Sequence, residues 1–271
     1  MNISKLNLLV AVAATLAGCT SVHAQEAAPG TASSAGTVTA AEAQHPDISG
    51  IWEIYPDPFA GEENTFLELP VPGDGPRLRE PYASDWARLR AERDALLLAG
   101  TPRVDPSTLC TPEGMPMIMG AIFPLEILQT PGRVTVLAEY LTQTRRVPLD
   151  RPLPASEDIN PNFYGYSSGR WEGDTLVIRT VGVAANSLFF EIPFSAEMTI
   201  TERIRVTGVD LMENVITIED PVTLLEPYTF TYGYRRNPEY EMQEYFCERE
   251  DPLFRVNTDG TVEMRTDDVS E

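Results

Sequence analysis

The sequence predicts an all-β domain, either an antiparallel lipocalin-like barrel or a strongly curved sandwich, with one helix near residues 84–99. Three observations carry that expectation. Apolar residues recur with period two in successive short runs from residue 133 onward. Turn-forming pairs, among them Pro131-Gly132, Gly173-Asp174 and Asn237-Pro238, stand between those runs. Helical spacing is kept in one stretch alone, after Ser84. Strand side chains alternate between two faces, so period two marks a sheet with one buried face. Short strands at such spacing fold into sandwiches or barrels.

The chain opens with Lys5 and an apolar run, Leu6 to Leu16, too short to cross a bilayer, which closes in Leu16-Ala17-Gly18-Cys19. A positive start, a short apolar core and small closing residues make an export signal, and this ending resembles a bacterial lipobox. Residues 1–18 are therefore expected to be a signal peptide, with lipid on Cys19. Thr20 is not an inner-membrane retention signal, so the expected location is the periplasm, anchored to the outer membrane. Cleavage after Val22-His23-Ala24, giving a plainly secreted protein, is the alternative. Residues 19–46 lack bulky apolar groups and read as a tether. The folded domain is expected over 47–265, with a frayed acidic tail at 266–271. The chain has three cysteines. With Cys19 lipidated, Cys110 and Cys247 remain as a disulfide pair suited to an oxidising compartment.

Each element has its own signal. Six prolines between Pro56 and Pro81 mark a loop. Ser84 is a plausible N-cap, Asp85 suits the positive helix end, and Trp86, Leu89, Leu96 and Leu97 share a face before Gly100 and Pro102 stop the helix. Beyond Cys110, strands are expected at Arg133–Leu141, Thr175–Val181, Met198–Val206, Val215–Ile218, Tyr228–Tyr234 and Tyr240–Cys247. A last hairpin turns at Asn257-Thr-Asp-Gly260.

Composition excludes several chemistries. Lys5 is the only lysine, and its removal takes the formal charge from −21 to −22. Binding nucleic acid needs a basic stripe that this chain does not have. Schiff-base chemistry has no mature amine. The two histidines are His23 and His45. A Ser-His-Asp triad would have to use His45, and no His/Cys spacing for zinc, phosphate loop or EF-hand is present. No metal or cofactor is expected. Any proton transfer falls to carboxylates, tyrosines or water.

Charge interrupts the alternation. Glu202 shares a face with Ile200 and Ile204, Arg179 with Val177 and Val181, and Glu139 with Leu137 and Leu141. A lone charge on a buried face is costly unless paired. Arg179 or Arg145 pairing with Glu139 or Glu202 would relieve it, lining a polar cavity or forming a purely structural pair; the alternative is that these faces are solvent-exposed and the opposite faces are core. For Glu139 the opposite face, with Val134, Val136 and Tyr140, is the better core. Tyr228, Tyr232 and Tyr234 read as a core strip, whereas Tyr164 and Tyr166 precede Ser167-Ser168-Gly169.

These segments together resemble an uncharacterised family of exported bacterial proteins. The marks are Asp47-Ile-Ser-Gly-Ile-Trp52, Cys110-Thr-Pro-Glu-Gly-Met-Pro116, Glu126-Ile-Leu-Gln-Thr-Pro-Gly132, Glu139 with Arg145 and Asp150, and Gly169-Arg-Trp-Glu-Gly-Asp-Thr-Leu-Val177, followed by Glu202-Arg203, Asp220-Pro221 and Glu244-Tyr245-Phe246-Cys247. The resemblance implies kinship of fold and no particular activity. Where such relatives often carry histidine, this chain has Leu153, Tyr166 and Phe194. Gly50-Ile51-Trp52 is also similar to the Gly-x-Trp opening of lipocalins, whose tryptophan closes one barrel end against a late arginine. That resemblance implies Arg255 as the partner.

The expectation for function is a lipid-anchored periplasmic binding module with a barrel-like cavity for a small amphipathic or aromatic ligand, held by Glu139, Arg145, Tyr166, Trp171 and Glu202. The membrane would be met only through the lipid. The alternative is a carboxylate- or tyrosine-dependent lyase, isomerase or hydrolase in which Glu202 or Glu139 is the base. A third reading is an envelope scaffold whose acidic surface meets a protein partner.

Overall fold

Nine antiparallel strands wrap almost completely around one apolar core. They run in the order β4-β3-β2-β1-β9-β8-β7-β6-β5. In chain order they are β1 (Gly50–Ile54), β2 (Leu125–Thr130), β3 (Arg133–Ala138), β4 (Gln143–Pro148), β5 (Tyr166–Glu172), β6 (Thr175–Val181), β7 (Thr199–Gly208), β8 (Leu211–Glu219) and β9 (Tyr228–Arg236). The two ends of the sheet, β4 and β5, meet at a seam. Backbone contact there is a single parallel bridge, Leu149 to Gly169, with Asp150 N–H donating to Gly169 O at 2.8 Å. The sheet is thus nearly closed into a lipocalin-like barrel. The computed structural model describes residues 45–57, 71–104, 110–185, 189–247, 254–257 and 260–264. The expected leader, Cys19, the tether as far as residue 44 and the tail 266–271 lie outside these residues.

The alternation explains why these strands form. Val134, Val136 and Ala138 of β3, Leu176, Ile178 and Thr180 of β6, and Ile200, Glu202 and Ile204 of β7 all point inward and are buried. Tyr228, Phe230, Tyr232 and Tyr234 of β9 share that inner face, which is the expected core strip. For β6 the sequence leaves either face as the core, and the structure selects the one opposite Arg179. Arg179 lies outside and exposed, because Leu176 and Ile178 outweigh Val177 and Val181 as core residues.

Helix α1 (Tyr82–Leu98) starts two residues before the expected cap. Ser84 lies within its first turn, where its amide and hydroxyl donate to the Glu80 carboxylate, the hydroxyl at 2.7 Å. Strong helix formers and the ion pairs Asp85–Arg88 and Arg88–Glu92, at 3.5 and 3.8 Å, sustain it. Trp86 fixes it to the barrel, donating its Nε1–H to Phe190 O at 3.0 Å.

Residues 240–247 form no strand, contrary to the sequence reading. Both neighbours of β9 are already taken, by β1 and β8, so this arm cannot fold back beside β9 as a hairpin partner. It is held instead by side chains and by the disulfide Cys110–Cys247. The last hairpin forms as expected, pairing β10 (Phe254–Val256) with β11 (Val262–Met264).

Trp52 is the lipocalin-like feature, and its partner is not Arg255, whose strand β10 belongs to the separate two-stranded ribbon. Arg236 stands directly opposite Trp52 in the β1–β9 pairing, with its guanidinium 4.5 Å from the ring centroid. It also donates to the carbonyls of Ser49 and Asp47. Gly50 makes room for it, since a Cβ there would lie 3.1 Å from the Arg236 guanidinium.

Candidate functional site

Inside the barrel, one polar cluster interrupts the apolar packing. Arg145 of β4 and Glu202 of β7 are 1% and 0% exposed. The guanidinium meets the carboxylate with two parallel hydrogen bonds, Nη1–Oε1 at 3.0 Å and Nη2–Oε2. The same Nη2 donates to Thr180 Oγ1 at 3.1 Å and to Ser167 Oγ at 3.2 Å. Asn214 Nδ2 donates to Glu202 Oε1 at 3.1 Å. Among the described residues, Arg145 Nε and Asn214 Oδ1 have no hydrogen-bond partner.

The position of this pair says what it does. Arg145 leaves one sheet edge, β4, and bonds to side chains on β5, β6 and β7. It therefore ties the two edges together from inside, where the backbone supplies one bridge. A charge pair taken out of water is tolerable only when its geometry is good and its other polar atoms are satisfied. The bidentate contact and the surrounding hydroxyl and amide groups largely meet that condition.

The remaining expected anchors lie apart from it and from one another. Glu139 follows the end of β3, where its carboxylate accepts from Tyr240 Oη at 2.8 Å and from Gln243 N–H at 2.8 Å. It anchors the C-terminal arm, and Thr142 Oγ1 adds a bond to Tyr245 O at 3.1 Å. The Tyr240 phenol is raised above its usual pKa by burial and by the Glu139 carboxylate beside it. Trp171 is half-buried, its ring stacked on His45 with centroids 4.9 Å apart. Tyr166 stands on the outer face of β5 and donates to Asn160 O at 3.3 Å. Of the five residues, the structure brings together Arg145 and Glu202.

Outside the same seam lies an open cleft of about 380 Å³, lined by Asp150, Arg151, Leu153, Ser168, Arg170 and Arg179 with the backbone of Gly169. The loop after β4 builds one wall. Asp150 takes a positive φ of 55°, which Asp tolerates better than most residues, and turns the chain back alongside β5. Gly169 permits this approach, since a Cβ there would sit 2.8 Å from Leu149 and 3.1 Å from Val147. Ser168 Oγ donates to Arg151 O, pinning the loop to β5. Arg170 is engaged by Glu172, Nε to Oε1 at 3.0 Å, and Arg203 grips the other oxygen at 3.0 Å. These two guanidinium groups hold the Glu172 carboxyl below its usual range. Arg151 and Arg179 form no ion pair with any described residue.

Sequence reasoning missed this cleft and the inner partners Ser167, Thr180 and Asn214. Both depend on which two strands end up as the sheet edges, a non-local fact that periodicity does not carry. Arg179 was visible as an anomaly in its strand, and that was the available signal.

No protein-family model, curated protein or solved structure matches this chain.

Proposed function

We propose that this chain is a lipid-anchored periplasmic binding module for a small amphipathic molecule, and that the molecule is held in the open cleft outside the seam. One observation carries this reading: the interior charges are bonded to each other, whereas the cleft presents charged groups to solvent. Small-molecule sites occupy about 300 to 1,000 Å³, and the cleft falls within that range. Leu153 gives it an apolar wall beside the polar ones. The enzyme reading is weaker. A general base must reach a substrate proton, and Glu202 is enclosed by Arg145 and Asn214. Glu139 is committed to the C-terminal arm.

Native mass spectrometry of the protein purified from an envelope fraction tests the reading. A bound small molecule that leaves on mild activation is the expected result. A ligand-free spectrum, together with a compound screen that finds no binder, would overturn it.

A further inference from the structure

We infer that the seam cleft is an oxyanion site: its ligand carries a carboxylate or phosphate group gripped by Arg151 and Arg179, with a hydrogen-bond donor facing Asp150. This rests on the binding-module reading and narrows it. The full chain carries 41 acidic residues against 20 basic ones. The cleft reverses that balance, with three guanidinium groups against one carboxylate. Arg170, Arg203 and Arg205 each meet a carboxylate. Arg151 and Arg179 line one cleft, and neither forms an ion pair with any described residue.

The scaffold fixes the backbone from which both side chains rise. Arg179 is central in β6, where it is flanked in register by Ser168 of β5 and Thr201 of β7. Arg151 is fixed by the Ser168 hydroxyl on its own carbonyl and by the backbone bond from Asp150 to Gly169. A guanidinium offers paired N–H donors that match two oxygens of a carboxylate or phosphate. Asp150 selects against a bare anion and in favour of one that also bears a hydroxyl or ammonium. Leu153 faces whatever apolar body follows the head group.

The test is calorimetric titration of the purified protein with phenyl phosphate, benzoate and the neutral benzyl alcohol. Saturable binding of one or both anions is expected, weakening as salt is added. Phenyl phosphate and benzoate distinguish the two head groups. Arg151→Gln and Arg179→Gln should each weaken binding about tenfold, equal to about 1.4 kcal/mol. Arg146→Gln, exposed on β4 but outside the cleft, should leave it unchanged. Near-UV circular dichroism establishes that each variant is folded. Equal binding of benzyl alcohol, or anion binding indifferent to both cleft substitutions, would overturn the oxyanion assignment while leaving a binding module. Failure of all three probes, with no binder in a wider compound screen, would overturn the module reading itself.

Discussion

The inner and outer sides of the β4–β5 seam use the same residue type to opposite ends. Inside, Arg145 is fully buried and its two terminal nitrogens are occupied by Glu202, Ser167 and Thr180. Outside, Arg151 in the loop after β4 and Arg179 of β6 line an open cleft, and neither forms an ion pair with any described residue. Burial makes the difference. A guanidinium deprived of water must have a partner built into the fold, and once partnered it is no longer free for a ligand. A guanidinium left in water carries no such requirement and can exchange solvent for an anion. The inner arginine therefore belongs to stability and the outer pair to recognition.

The largest test of this contrast is Glu202→Leu. It leaves Arg145 charged and unpaired in the core and should cost about 3–5 kcal/mol in urea unfolding. The double variant Arg145→Met/Glu202→Leu should regain most of that loss. A single variant costing under about 1 kcal/mol would show that the pair does not close the seam.

High pH probes the inner side by another route. Tyr228, Tyr232 and Tyr234 all have phenols raised by burial, Tyr234 well above its ordinary value. A group whose folded pKa is raised lends its full stability below the unfolded pKa and loses it as pH climbs toward the folded one. Stability should therefore hold up to about pH 10 and then fall by about 1.4 kcal/mol per pH unit for each tyrosine kept protonated in the fold. Absorbance of phenolate at 295 nm should show these three titrating only with unfolding. Early, reversible ionisation of all the tyrosines would contradict the packing of β9.

Glu139→Gln should cost about 1–2 kcal/mol by weakening the bonds to Tyr240 and Gln243. Hydrogen exchange should quicken across residues 240–246 and stay unchanged in the strands. At the small end, Arg179→Gln should alter stability by no more than about 0.5 kcal/mol, because it removes no built contact. A large loss would move Arg179 to the structural side of the comparison.

Much of the barrel was legible in the sequence, because period two reports local burial. It marked the tyrosine strip of β9 and the inward Glu202, while the odd cysteine count pointed separately to Cys110 with Cys247. It failed where the answer lay in distant pairing. In β6 alternation alone leaves two faces to choose from, Val177 and Val181 with Arg179 or Leu176 with Ile178, and the second turns inward. Tyr240–Cys247 alternates like a strand, but the place beside β9 is filled by β1 and β8. Arg255 was taken for the partner of Trp52, because nothing local shows that Arg236 stands across the sheet from it. The seam cleft was invisible for the same reason: its walls come from a loop and two strands whose adjacency exists only once the barrel has wrapped.

The most direct measurement is phenyl phosphate affinity in the Arg145→Met/Glu202→Leu double variant, taken where near-UV circular dichroism matches the unmodified protein. If the inner pair serves closure and the outer arginines serve recognition, the affinity stays within about twofold of the original, under about 0.5 kcal/mol. Loss of binding in that folded variant would place the ligand inside the barrel and contradict the division drawn across the seam.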